Sequence, residues 1–206
     1  MADCGCELEA DSDAQRSTLR IVLVINAAMF LTEMAIGIVA DSTGLIADSL
    51  DMLADASVYA ISLYAVGRAA RIRRSAATAS GVLQLILGVG VLVEAARRFI
   101  GGGEPVGLAM MGMGVVALIA NSICLRLIAK HKGGDVNFRA SYIFSANDVI
   151  ANIGVIVSGL IVKLSGSQIP DLVIGILIAA VVVRGGCKIL LETKQQMIHP
   201  PSSKGR

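Results

Sequence analysis

Three aspartates, Asp48, Asp51 and Asp55, fall inside one apolar stretch at residues 43–67 that has the length of a membrane crossing. A carboxylate in hydrocarbon costs at least ~2.5 kcal/mol on insertion scales, so it needs a polar partner or a task. Asp51 and Asp55 are four residues apart, which puts them on one helix face, one turn from each other. Two hard oxygen donors on one face, turned into a bundle, suit a divalent cation in transit. Asp48, one turn earlier, is either part of that chemistry or a structural hydrogen-bonding group between helices.

The elements that must position these groups follow from composition. Of 206 residues, 55% are hydrophobic and 17% charged, whereas a soluble domain averages about 45–50% apolar and about 25% charged. The charges fall in short blocks between apolar stretches of about 20 residues, the length a helix needs to cross roughly 30 Å of hydrocarbon. The pattern predicts an all-α membrane protein with six transmembrane helices, at residues 19–40, 43–67, 75–96, 106–129, 140–164 and 170–191. Residues 1–18 and 192–206 then form short tails around one six-helix domain, 19–191.

Cations mark alternate loops: Arg68, Arg71, Arg73 and Arg74 in one, Lys130, Lys132 and Arg139 in another. Arg16 and Arg20 open the first span, and Lys188 and Lys194 close or follow the last. The positive-inside rule puts both termini and both basic loops in the cytoplasm of a multi-pass cell-membrane protein. Arg97 and Arg98, at the outer end of the third span, break the pattern. They read as snorkelling cations with Glu94 as a partner at i, i+3 and i, i+4.

Several classes are excluded. Aromatics are 3% and no basic groove motif appears, so nucleic acid is not a partner. No nucleotide-binding loop, nucleophile motif or zinc-hydrolase signature points to an enzyme or a resident cofactor. Cys4 and Cys6 lie in the amino-terminal tail and Cys124 and Cys187 in or beside apolar spans, which is not a disulfide framework. The first residues lack the basic and apolar regions of a signal peptide. There is no internal repeat.

Depth follows from the ~1.5 Å rise per residue: Asp51 lies about 12 Å and Asp55 about 18 Å below the outer end of the second span. Asp148 lies about 12 Å above the inner end of the fifth. In a core of ~30 Å, Asp148 and Asp55 then come within a few ångströms of the same level, and three carboxylates from two helices converge near the midplane, where transporter sites sit. Like charges there repel unless protons or a cation neutralise them.

Other polar residues carry less. Glu33 in the first span, level with Asp48 or Asp51, lines an outward vestibule or makes a helix-packing hydrogen bond. Asn26 shares that span. Gln84, Asn121 and Ser122 read as interhelical hydrogen-bonding groups, and Gly88, Gly90, Gly112, Gly114, Gly154 and Gly159 as points of close helix approach. Met110, Met111 and Met113 suggest packing more than a soft-metal path. Cys4-Gly-Cys6-Glu7, with Glu9, has the donors to capture a thiophilic metal. His131 and His199 stand outside the spans and read as ordinary loop residues.

At these residues the chain resembles the cation diffusion facilitator family of metal–proton antiporters. Gly44-Leu-Ile-Ala-Asp-Ser-Leu-Asp-Met-Leu-Ala-Asp55 is similar to the family's second-helix motif, His-or-Asp-x-x-x-Asp, which maps onto Asp51 and Asp55. Arg139-Ala-Ser-Tyr-Ile-Phe-Ser-Ala-Asn-Asp-Val-Ile-Ala-Asn152 is similar to the fifth-helix motif, whose Asp maps onto Asp148. The family's usual His or Asp four residues before that Asp is Phe144 here. Asn152, Ser145, Asn147 or water then completes the coordination. An oxygen-rich set without imidazole tolerates manganese or ferrous iron more readily than a histidine site does.

The resemblance implies export of a divalent transition metal, zinc first, from the cytoplasm in exchange for protons, by a homodimer in the lipid bilayer. The metal is substrate, and no cofactor is expected. Family members commonly end in a cytosolic metal-sensing domain, for which this chain is too short. Three rival functions remain: manganese, iron or cobalt efflux by the same mechanism; a proton-coupled organic-cation exporter; and a non-transporting membrane scaffold. The exporter would want aromatic walls around its substrate, and there is no Trp.

Overall fold

The computed structural model describes the backbone of residues 6–65, 70–130 and 136–198, and their side chains except at 6–12, 15, 62, 65, 70–74, 76, 136–145, 192 and 195–198. Six helices account for nearly all of it: α1 Cys6–Val39, α2 Thr43–Ala65, α3 Ala70–Gly101, α4 Gly107–Ala129, α5 Val136–Ser165 and α6 Ile169–Ile198. No strand occurs among the described residues. Several helices overrun the expected spans, α1 and α3 by more than a turn at their starts. An α-helix satisfies its own backbone, so it need not stop where hydrocarbon does.

Five helices contain stretches long and apolar enough to cross a membrane: Arg16–Val39, Ala77–Gly101, Gly107–Ala129, Ala146–Ser165 and Ile169–Leu191. The remaining one, α2, is 23 residues long but carries all three aspartates in its interior. It is also the central helix, packed against each of the other five. Its neighbours shield it, which is how a helix with three acids belongs to a bundle in lipid.

The side-chain distribution is that of a multi-pass membrane protein. Val24, Leu31, Val39, Ile86, Ile100, Ile150 and Leu164 face outward, while Asn26, Glu33, Asp48, Asn121 and Asn152 are buried. Two apolar clusters fill the interior. On α2 one reaches Ala54 and the other begins at Tyr59, so Asp55 stands between them.

The three short turns meet at one end of the bundle, where residues 41, 101–104 and 166–169 line one shallow depression. Asp41 turns the chain with φ 51°, a conformation Asp tolerates better than most residues. Ser42 then caps α2, its Oγ accepting from the Leu45 N–H at 3.1 Å. Val106 N–H donates to the Ala40 carbonyl at 2.9 Å, joining two of the turns.

Arg98 corrects the expectation of snorkelling. It is 6% exposed, 2.7 Å from Glu94 and 2.5 Å from Asp41, and also donates to the Asp41 carbonyl. Arg97 is exposed and pairs with Glu94 at 2.7 Å. A second anchor, absent from the sequence reading, is Asp171 in the first turn of α6. Its carboxylate accepts from Ser42 Oγ at 2.6 Å, Thr43 N–H at 2.6 Å and Gly44 N–H at 3.0 Å. An anion on the exposed N–H groups of a helix start satisfies them and complements the helix dipole.

Close packing holds the hairpins. A Cβ on Gly107 would collide with the Gly159 carbonyl oxygen, and one on Gly159 would stand 2.9 Å from that of Gly107, so α4 and α5 touch backbone to backbone. Gly88, Gly114 and Gly154 are also close-approach points, but Gly90 and Gly112 meet nothing within 4 Å and do not mark helix contacts. Met110 and Met113 are buried in the core, as packing residues.

Candidate functional site

The central position of α2 brings its acids against α1 on one side and α5 on another. The carboxyls of Asp51 and Asp148 meet at hydrogen-bonding range across α2 and α5. Asp55 lies close enough to interact electrostatically with both, and it accepts from the Tyr59 hydroxyl at 3.4 Å. All three carboxyls are half-buried. Helical rise brings the right two helices together but is off by one turn in register, since it levels Asp148 with Asp55 and the carboxyl that Asp148 meets is that of Asp51. The carboxyls do not yet form a cage: among the described residues no three His, Cys, Asp or Glu side chains are placed to hold one ion.

A cleft of about 520 Å³ runs between α5 and α6, lined by Ile150, Gly154, Ile174, Leu177 and Val181, and it reaches Asp51. Asn147 lines it too, as do Arg184 and Lys188. Asn152 is fully buried, and neither its Oδ1 nor its Nδ2 has a hydrogen-bond partner. A buried amide left unpaired on both atoms is uncommon and costly. The Ser145 and Phe144 side chains lie outside the described residues, as do Cys4, His131, Lys132, His199 and the side chains of Cys6, Glu7, Glu9 and Arg139. The same holds for Arg68 and for the side chains of Arg71, Arg73 and Arg74.

Two neighbours of the acids are not apparent from motif spacing. Tyr59 is 2% exposed, and its place one turn after Asp55 on the same face is the only signal for it. Cys124 on α4, also buried and free of disulfide, interacts with Asp148 and Asp55. Asn26 Nδ2 donates to its sulfur at 3.8 Å and to the Val22 carbonyl at 2.9 Å, which ties α1 to α4. Asn121 and Gln84 are buried as well, but Nδ2 of Asn121 finds no acceptor.

Glu33 departs from the vestibule expectation. It is fully buried, so it lines no vestibule. It faces Asp48 of α2, yet neither of its oxygens has a hydrogen-bond donor.

Comparison with known proteins agrees in one direction. Residues 19–198 match the family described as the cation efflux transmembrane domain. Among curated proteins, the zinc transporter ZitB of Yersinia pseudotuberculosis serotype I is 24% identical over 131 residues, covering 62% of this chain and 41% of that protein. ZitB of Escherichia coli K12 is 26% identical over the same length and shares. The matched region therefore spans about two fifths of these relatives.

Proposed function

This chain belongs to the cation efflux family, and on that premise we propose that it exports a divalent transition-metal ion, zinc first, in exchange for protons. The observation that carries the proposal is the meeting of Asp51 and Asp148 across two helices of a lipid-facing bundle. Two facing carboxylates repel in a medium of low dielectric, and a cation between them relieves the repulsion. Asp55 adds a third charge at this level. Asn152 supplies an unpartnered amide on α5, and Asn147 and Ser145 are further oxygen donors on that helix.

Metal binding requires ionised ligands, so metal and protons compete for the same oxygens. Moderate movement of α5 against α2 would close the three carboxyls around one ion, and return movement would release it. The cleft between α5 and α6 that reaches Asp51 is the route of approach. Both termini and the basic loops face the cytoplasm on this reading, since the three turns that cluster at the opposite end lack that excess of cations. The protein works as a homodimer, as the family resemblance implies.

Zinc is favoured over manganese or ferrous iron by one feature. The Cys124 thiol of α4, within electrostatic reach of Asp148 and Asp55, is a soft donor near an otherwise hard set. The relatives named as zinc transporters point the same way. The test is ion flux in vesicles reconstituted with the purified full chain. Zinc uptake driven by an opposing proton gradient is expected, and its loss in Asp51→Asn and Asp148→Asn with helicity retained. Folded protein that moves no zinc, manganese, cobalt or iron would leave the scaffold or the organic-cation exporter.

A further inference from the structure

Glu33 of α1 is fully buried and Asp48 of α2 is 1% exposed, and the two carboxyls face each other. Neither oxygen of Glu33, nor Oδ2 of Asp48, has a hydrogen-bond partner. The helices packed against α1 are α2 and α4. From α2 the charged groups toward Glu33 are Asp48 and Asp51, and the only charged residue of α4 is Arg126, in its last turn. Asp48 is also on a helix packed against α3, α5 and α6, and the charged groups that interact with it are Glu33, Asp51 and Asp148, so no cation balances the pair. Such an arrangement is costly unless something neutralises it, because two carboxylates in contact repel and each lacks a donor.

We propose that Glu33 and Asp48 together hold one exchangeable proton, making this pair a proton carrier separate from the metal ligands. A divalent ion is the poorer occupant. It needs about four or more donors, and no third His, Cys, Asp or Glu among the described residues joins the two. A shared proton, by contrast, gives the facing oxygens one donor and removes one of two like charges. The inference rests on the reading of Asp51, Asp55 and Asp148 as the cation site, because that is what makes the proton exchangeable.

Asp51 follows Asp48 by three residues, so an ion at Asp51 arrives about one helical turn from the pair. Its positive charge opposes the nearby proton. The O–H bond of the pair breaks, the proton passes to water, and the pair gains one negative charge that the metal offsets. When the ion leaves, a proton returns and the pair goes back to a single negative charge. Coupling thus needs no shared ligand, only proximity.

The test counts protons released per zinc bound by the full chain in nanodiscs, with a pH-indicator dye and a parallel zinc titration. Glu33→Gln is expected to bind zinc and to release one proton fewer than the wild type. Asp48→Asn serves as the second variant should the first not fold, with the same expectation. A variant that binds zinc and releases as many protons as the wild type overturns the carrier pair alone. Wild-type protein that binds no zinc overturns the functional reading itself, and this inference with it.

Discussion

Arg98 of α3 lies 2.5 Å from Asp41, the residue that turns α1 into α2. Its guanidinium also holds Glu94 at 2.7 Å and the Asp41 carbonyl, so one buried cation joins a helix end to a turn. The same turn is gripped from the other side by Asp171 of α6 through Ser42, Thr43 and Gly44. The start of α2 is thereby fixed against α3 and α6. The acids one to three turns further along inherit that fixed origin.

Removing the Arg98 side chain strands two carboxylates that are themselves partly solvated. Arg98→Ala is expected to cost about 1–3 kcal/mol, less than a fully buried pair would. Arg97→Ala, which removes an exposed partner of Glu94, should cost less than about 1 kcal/mol. Denaturant titration of the two variants in micelles ranks them.

Asp171→Ala deletes the acceptor of three hydrogen bonds and leaves two backbone N–H groups of α2 unpaired. The expected loss is about 3 kcal/mol. Asp171→Asn keeps one acceptor oxygen and should fall between this and the wild type. The same titration reads both.

Gly107→Ala drives a Cβ into the Gly159 carbonyl oxygen, and separating α4 from α5 should cost about 1–3 kcal/mol. Gly112→Ala, in open space on the same helix, should be neutral or stabilise by up to ~1 kcal/mol through helix propensity. Thermal melting of the pair provides the comparison.

Cys124→Ser exchanges a thiol within electrostatic reach of Asp148 and Asp55 for a hard oxygen. Zinc and cadmium flux should fall relative to manganese flux. Competition assays in vesicles measure the ratio, and an unchanged ratio removes Cys124 from the selectivity argument.

The six helices and the level of the acids are legible in the chain because both depend on local quantities, apolar length and rise per residue. Helical rise pairs Asp148 with Asp55, whereas the carboxyl at hydrogen-bonding range of Asp148 is that of Asp51, one turn away. What the chain hides is whatever depends on which faces touch. Asp171 looks like an ordinary acid in a first turn, and only the packing of α6 on α2 turns it into an anchor. Gly90 and Gly114 are indistinguishable as residues, yet one meets nothing within 4 Å and the other would place a Cβ 2.9 Å from Ile156. Arg98 looks like a snorkelling cation until the α1–α2 turn, 57 residues earlier, is brought beside it. Cys124 escapes notice because no spacing links α4 to the acidic motifs.

The most direct measurement is a double-mutant cycle on zinc affinity, by calorimetric titration of wild type, Asp51→Asn, Asp148→Asn and the double variant. If one ion sits between these side chains, each single change weakens binding and the double change adds little. The corresponding coupling is on the order of 1–3 kcal/mol. Losses that simply sum, with no coupling, would mean that α2 and α5 do not share an ion.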